Sequence, residues 1–206
     1  VLIATGVYKA RDIAAPGVGL AGIAPALDYL TASNRQGLGD TVPEFESGML
    51  NAAIKNVVVI GGGDTAMDCV RTAVRQGAKS VTNFELLPKP PEQEDKPLTW
   101  PYWPMKLRTS SSHEEGAKRD FAVATKRFEG KEGKVASLTA CHVEWVKDAK
   151  GAMAMQEVPG TEFTIPADLV LLAMGYVHPV HEGLVAGLGV AKDARGNVPA
   201  TTEGKG

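Results

Sequence analysis

The sequence is poor in the residues that build metal centres and disulfide frameworks. It contains only two cysteines, Cys69 and Cys141, and neither has a CxxC partner, so they cannot hold a cluster or a zinc ion alone. Cys69 lies in a segment with helical spacing, which favours a buried, reduced thiol and a cytoplasmic location. His178 and His181 lack a carboxylate or cysteine at ligand spacing, so we predict loop histidines and no metal site.

Excess charge and long apolar segments are missing as well. A formal net charge of −2 provides no electrostatic attraction for nucleic acid or an anionic membrane. The longest apolar run, Leu169–Met174, is far shorter than the ~20 residues that cross a bilayer. We therefore expect an ordinary soluble globular protein, with neither nucleic acid nor membrane as a partner. The chain opens on Val1 inside an apolar stretch, which is typical of a piece of a longer protein.

The most informative stretch begins with four apolar residues, Val57–Ile60, and continues into Gly61, Gly62 and Gly63. A segment with apolar residues at helical spacing follows. This order predicts a buried strand, a tight turn, and a helix that packs back on the sheet. In a dinucleotide-binding turn Gly61 allows the bend, Gly63 lets a pyrophosphate approach, and Ala66 keeps helix and strand close. A purely structural strand–turn–helix is the alternative.

Further residues extend this predicted dinucleotide site. Asp64 and Thr65 begin the helix, where free N–H groups and the helix dipole favour phosphates. Glu85 closes the next apolar run, at about the 20-residue offset where an acid meets a ribose diol. A carboxylate there favours a free 2′-hydroxyl, and thus NADH over NADPH. No arginine stands beside Glu85 in the sequence, and Lys89 is the nearest cation.

The remaining chain shows the patterns of further strands and helices. Pro25–Asn34 is predicted to be helical, with the proline in its first turn. Val1–Gly6 and Asp168–Tyr176 each contain a short apolar strand followed by a glycine that permits close approach. Ser80–Glu85 is predicted to be the second parallel strand of a βαβ unit, and Met105–Ser110 the third.

From Phe121 onward, apolar and polar residues alternate between turns. This pattern predicts an antiparallel meander with three strands, namely Phe121–Glu129, Val135–Val146 and Ala152–Val158. Before the glycine motif, the segment Pro16–Gly22 is rich in turn residues. Two interpretations of this connector stay open, a hinge and an ordinary surface loop.

These segments together resemble the pyridine-nucleotide domain of flavoproteins that bind two dinucleotides. In that group an NAD(P)H domain is inserted into an FAD domain. The finer resemblance covers essentially the whole chain and is to the small (beta) subunit of glutamate synthase. It is carried by six segments, Pro16–Gly22, Ala26–Leu30, Val58–Cys69, Phe84–Pro88, Leu107–Glu114 and Ala167–Pro179.

The resemblance implies an α/β fold with a Rossmann-like, three-layer parallel sheet and an antiparallel β-meander, plus short pieces of an interrupted FAD domain. Residues 1–24 would form the tail of the first FAD-domain segment and a connector. Residues 25–175 would form the NAD(P)H-binding domain, and residues 176–206 the start of the returning FAD-domain segment.

The resemblance also implies the cofactors. NADPH or NADH would bind at Gly61–Ala66 and Glu85. FAD would have only a partial site, edged by Thr5, Gly6 and Gly175. The iron–sulfur clusters of the family would lie elsewhere in the full-length protein. Because the cofactors carry the chemistry while the protein positions them, we expect no catalytic acid or base in this chain.

Function and partners follow from the same resemblance. The family's small subunit passes a hydride from NAD(P)H to FAD, and electrons then reach the large (alpha) subunit, which makes glutamate from glutamine and 2-oxoglutarate. The expected partners are this large subunit and the remainder of the chain's own FAD and iron–sulfur domains. The excised chain is expected to be inactive by itself.

Two other functions stay open. The chain could belong to another flavin and iron–sulfur electron carrier with the same insertion, of the NADPH:ferredoxin or dihydropyrimidine dehydrogenase type. It could instead be a module that senses NAD(H) without redox chemistry. Copurification with a glutamine-hydrolysing subunit separates the first from glutamate synthase, and flavin absorbance of the full-length protein excludes the second.

Overall fold

The structure is a computed structural model that describes residues 4–94, 106–107, 109, 111–147 and 151–199. The chain divides into two compact units, Ile13–Ala173 and Val1–Asp12 together with Met174–Gly206. We call the first the inner unit and the second the outer unit. The assignment of residues 1–24 and 176–206 to an FAD domain stays a prediction.

The secondary structure of the described residues alternates strands and helices in the first half of the chain and is mostly extended in the second. The strands are β1 Lys9–Ala10, β2 Ile23–Pro25, β3 Asn56–Ile60, β4 Ser80–Glu85, β5 Lys118–Phe121, β6 Val123–Lys131, β7 Lys134–Lys147, β8 Met153–Glu157, β9 Phe163–Pro166, β10 Leu169–Leu172 and β11 Tyr176–His178. The helices are α1 Ala26–Gly37, α2 Pro43–Glu46, α3 Asp64–Arg75, α4 Ser111–Glu114 and α5 Leu184–Gly187.

A five-stranded parallel sheet forms the centre of the inner unit, in the order β2-β10-β3-β4-β5. β3 lies between β10 and β4, and its residues Val57, Val58 and Val59 are at most 1% exposed. Such burial on both faces explains why the strand reads as an unbroken apolar run. The βαβ unit predicted from the glycine motif is present as β3, α3 and β4.

Helices α1 and α3 cover one face of this sheet. Their apolar side chains pack on alternate residues of the strands, among them Val57, Val59 and Leu171. Gln76 joins the two helices, because its Oε1 accepts a hydrogen bond from the Tyr29 hydroxyl at 3.0 Å while its Nε2 donates to Ser33 Oγ. The predicted helix over Pro25–Asn34 is confirmed as α1.

The antiparallel strands cover the other face. β7 pairs with β6, β8 and β9, and the Phe163 ring on β9 contacts the Phe84 ring on β4 edge-on, at 5.9 Å between centroids. Leu138 and Thr139 in β7 are fully buried. Helices, parallel sheet and antiparallel sheet form three layers, and the predicted fold class is confirmed.

Three details differ from the sequence predictions. The parallel strand that follows β4 along the chain is β5, not the predicted Met105–Ser110: residues 106, 107 and 109 are not in a strand, and the rest of that segment lies outside the described residues. Among the described strands β5 pairs only with β4 and forms an edge of the sheet, so its charged sequence is tolerated. Phe121 therefore ends β5 rather than opening the meander, which begins at Val123. Phe163–Pro166, which lies between the predicted meander and the last buried strand, forms a further strand, β9.

The prediction of a strand at Val1–Gly6 is wrong for residues 4–6, which do not form a β-strand. A strand needs a neighbour for its N–H and C=O groups, and in the described part of the outer unit β11 provides one to Lys9–Ala10 instead. The buried strand predicted within Asp168–Tyr176 is confirmed as β10.

The connector Pro16–Gly22 is part of the inner unit and is hydrogen-bonded to it. Pro16 O accepts a hydrogen bond from Phe128 N at 2.8 Å, and Val135 N donates to Ala21 O at 2.9 Å. Both partners lie on the β6–β7 hairpin. These bonds favour the surface-loop interpretation over the hinge. Among the described residues, no helix is long and apolar enough to span a membrane.

Candidate functional site

The turn between β3 and α3 is shaped by its first glycine. Gly61 has a φ of 130°, a conformation that L side chains rarely adopt. Its N–H donates a hydrogen bond to Phe84 O on β4 at 2.8 Å. The turn therefore leaves the sheet at the carboxyl end of β3, where parallel sheets bind their ligands.

The next two glycines face different surroundings. A Cβ at Gly62 would stand 2.2 Å from Cδ of Glu85, so the turn and this carboxylate are in close contact. Apart from its two chain neighbours, no atom of the described residues lies within 4 Å of a Cβ placed at Gly63. The structure thus brings Glu85 against the turn and leaves open space beside Gly63.

Helix α3 begins directly after the turn, with Gly63 as its N-cap and no side chain capping it. The amides of Ala66 and Met67 donate to Gly63 O at 2.9 and 3.2 Å. The N–H groups of Asp64 and Thr65 precede the first helical hydrogen bond and have no intrahelical acceptor. Ala66 is fully buried against the sheet, as its predicted role in close packing requires.

Glu85 shares its surroundings with a residue that sequence reasoning missed. In the parallel pairing of β4 and β5, Asn83 lies opposite Arg119 and Glu85 lies opposite Phe121. Because side chains alternate along a strand, these four residues point to one face of the sheet. The guanidinium carbon of Arg119 stands 4.9 Å from the centre of the Phe121 ring.

Charge and burial act against each other at this pair. Burial raises the pKa of the Glu85 carboxyl, while the positive charge of Arg119 opposes the shift. Burial lowers the pKa of Arg119, and the charge of Glu85 opposes that shift. No arginine stands beside Glu85 along the sequence, but the pairing of β4 with β5 brings the charge of Arg119 close to it in the fold. Only the strand pairing could have revealed Arg119.

Asn83 is a second residue that sequence reasoning missed. It is 1% exposed, and its Nδ2 lies 3.1 Å from Val59 O and 2.6 Å from Gly61 O. The signal available in the sequence was an amide between Val81 and Glu85, in the interior of the predicted second strand.

The remaining predicted site residues lie in the outer unit. Thr5 is half-buried, while Gly6 and Gly175 are exposed. Gly175 O accepts a hydrogen bond from Arg11 N at 2.9 Å. The structure thus gathers Gly61, Gly62, Gly63, Asp64, Thr65, Ala66 and Glu85 in one unit and Thr5, Gly6 and Gly175 in the other.

The profile of the pyridine nucleotide-disulphide oxidoreductases matches residues 1–205. The chain belongs to this family. The glutamate synthase [NADPH] small chains of Mycobacterium tuberculosis and Azospirillum brasilense are 42% and 48% identical to it over 96% and 85% of its length. Glutamate synthase [NADH] of Schizosaccharomyces pombe is 39% identical over 98% of the chain. The resemblance to the small subunit of glutamate synthase is confirmed.

The chain spans less than half the length of these relatives. It covers 40% of the Mycobacterium tuberculosis protein, 34% of the Azospirillum brasilense protein and 10% of the Schizosaccharomyces pombe protein.

Solved structures of other proteins share the fold of this chain. Mycobacterium tuberculosis FprA in complex with NADPH matches 96% of this chain and 53% of its own, with a TM-score of 0.65 and 18% identity. T. acidophilum thioredoxin reductase matches 92% of this chain and 48% of its own, with a TM-score of 0.55 and 16% identity. At this level of identity the likeness concerns the fold alone.

Proposed function

We propose that this chain is the NAD(P)H-binding part of a glutamate synthase small subunit, from which the coenzyme's hydride passes to FAD. The observation that carries the proposal is the turn from Gly61 to Gly63, which has open space at Gly63 and enters a helix with uncapped N–H groups. A pyrophosphate would be favoured there, because helix N-termini attract anions and none of the described side chains lies within 4 Å of a Cβ placed at Gly63. The relatives named as glutamate synthase support the choice of enzyme.

The coenzyme's remaining groups have matching residues nearby. We propose that the N–H groups of Asp64 and Thr65 hold the pyrophosphate and that Glu85 meets the adenosine ribose, since its carboxylate lies against Gly62. FAD, which accepts the hydride in such flavoproteins, would touch this chain only at Thr5, Gly6 and Gly175, and the other groups that bind it would come from outside residues 1–206.

We place the iron–sulfur clusters outside these residues, and we keep the large subunit as the proposed partner of the full-length protein. The two cysteines are free and buried on separate elements, α3 and β7. Burial raises the pKa of the Cys69 thiol to about 12, and the charge of Asp68 adds to the shift. A thiol that stays protonated is a poor metal ligand. Reduced thiols also support a cytoplasmic location.

Titration with NADH and NADPH tests the coenzyme site on the chain itself. We expect saturable binding of at least one coenzyme, with a Kd below about 1 mM, and competition by ADP, which carries the ribose and pyrophosphate. No saturation by either coenzyme would contradict the proposal. In the full-length protein we expect bound flavin that bleaches on addition of the coenzyme, together with copurification of the large subunit. A flavin-free full-length protein would indicate a sensing module instead.

The pair formed by Glu85 and Arg119 is expected to set the preference between the two coenzymes. Arg119→Met removes the positive charge that favours a 2′-phosphate, so the ratio of the NADPH Kd to the NADH Kd should rise about fivefold or more, as expected for a charged hydrogen bond. Glu85→Gln removes the negative charge that repels the phosphate, so the same ratio should fall. Both Kd values are measured by fluorescence titration.

Arg75→Met is the matched control for charge removal, because Arg75 lies at the exposed end of α3 and pairs with Glu115 instead. The ratio of the NADPH Kd to the NADH Kd in this variant should equal that of the unmodified chain. If the Arg119 and Glu85 variants also keep the ratio of the unmodified chain, Glu85 and Arg119 take no part in coenzyme choice.

A further inference from the structure

Asn83 has an unusual position for an amide side chain. It is one of three buried polar residues in the described part of the chain, with Ser112 and Thr139. It lies in β4 between Val81 and Glu85, on the face covered by helices α1 and α3. A buried amide destabilises a fold unless its hydrogen bonds are made, so the partners of Asn83 identify its role.

Those partners are carbonyl oxygens of β3 and of the glycine turn. The Asn83 amide nitrogen has two hydrogens, and it lies 3.1 Å from Val59 O and 2.6 Å from Gly61 O. The neighbouring residue Phe84 accepts the Gly61 N–H through its own carbonyl, at 2.8 Å. β4 therefore bonds both backbone groups of Gly61: the Phe84 carbonyl accepts from its N–H, and the Asn83 side chain donates to its carbonyl.

The second of these bonds fixes the direction of a peptide group. The carbonyl of Gly61 and the N–H of Gly62 belong to one planar trans peptide and point in opposite directions. When Asn83 holds the oxygen against the strand, the Gly62 N–H must point away from Asn83. A peptide next to glycine rotates easily, and rotation of this one would present the carbonyl oxygen where the proposed pyrophosphate approaches.

We infer that Asn83 is a positioning residue for the coenzyme: its side-chain amide holds the Gly61–Gly62 peptide in the orientation that offers an N–H, and not a carbonyl oxygen, to the pyrophosphate. The inference rests on the proposed coenzyme site. Asn83 touches no coenzyme atom itself and acts through the turn.

The test compares two substitutions at Asn83 with a matched control in the 206-residue chain. Asn83→Leu keeps the approximate size and removes the donor, and Asn83→Asp keeps the shape and replaces the donor by an acceptor. Thr139→Val removes a hydroxyl that is equally buried and hydrogen-bonded, to Glu129 and Thr164, but lies in β7 away from the turn. For each variant the Kd of NADH and of NADPH, the unfolding midpoint and the hydrogen exchange of the Gly61 amide are measured.

Both Asn83 variants are expected to raise the Kd at least about tenfold and to speed the exchange of the Gly61 amide. Thr139→Val should leave the Kd within about twofold and the Gly61 exchange unchanged at a comparable loss of stability. Because Asn83→Asp conserves the shape of the side chain, this variant provides the binding test if the leucine variant folds poorly.

The outcomes separate this inference from the proposed function. Unchanged Kd values in folded Asn83 variants of a chain that binds coenzyme would overturn the inference alone. If the unmodified chain binds neither coenzyme, the proposed site fails, and the role in coenzyme binding fails with it. The exchange of the Gly61 amide then still decides whether Asn83 holds the turn: an unchanged rate in both variants would overturn that part too.

Discussion

Replacing Gly63 with alanine is expected to raise the Kd for the coenzyme at least about tenfold, while the free energy of unfolding falls by no more than about 1 kcal/mol. In the described part of the chain, the added Cβ meets no atom within 4 Å beyond its chain neighbours, and the φ of −84° at this residue suits alanine as well. The fold therefore has room for the methyl group. The pyrophosphate of the proposed coenzyme does not, because it needs the backbone itself at this position. Titration calorimetry and thermal unfolding measure the two quantities.

Gly37→Ala is the matched control for this substitution. Gly37 ends α1, and a Cβ there also meets no atom of the described residues within 4 Å beyond its local helical neighbours. It lies in the same unit but outside the turn, so its coenzyme Kd should not change, and stability should rise slightly because alanine favours helix. Unchanged binding in Gly63→Ala would show that the pyrophosphate does not approach the turn.

Replacing Leu171 with alanine is expected to lower the free energy of unfolding by about 2–5 kcal/mol. Leu171 is fully buried in β10, in the central sheet, and packs in the core that the helices and the sheet form together. Its truncation removes buried apolar surface and leaves a cavity that the neighbouring strands β2 and β3 cannot fill without breaking their pairing. A loss of this size is a large part of the ~5–15 kcal/mol that stabilises a typical domain.

Leu38→Ala provides the comparison with the same change of side chain. Leu38 follows α1 and is 85% exposed, so its truncation should change the free energy of unfolding by less than about 0.5 kcal/mol. Urea unfolding of both variants measures the difference. Similar losses at the two positions would contradict the assignment of Leu171 to the core.

Local patterns in the sequence were sufficient to predict the centre of this molecule. β3, the turn and α3 are consecutive, and each has its own signal: an unbroken apolar run, three glycines, and apolar residues at helical spacing. The same holds for α1, which begins after a proline, and for the long β7, whose residues alternate. Each of these signals depends only on residues within a few positions of one another, so the sequence alone contains it.

Local patterns did not predict which distant segments pair with each other. β5 carries lysine, arginine and aspartate, and it can pair with β4 because the edge of the sheet accepts polar residues. That pairing brings Arg119 beside Glu85, which changes the electrostatics of the proposed ribose site. The hydrogen bonds of Asn83 depend on the register of β4 against β3.

The amino-acid sequence alone therefore determines that a glycine turn joins a buried strand to a helix, because that signal is local. Which charges and amides surround the turn is a property of the folded sheet, because strand order and register bring together residues that are far apart along the chain.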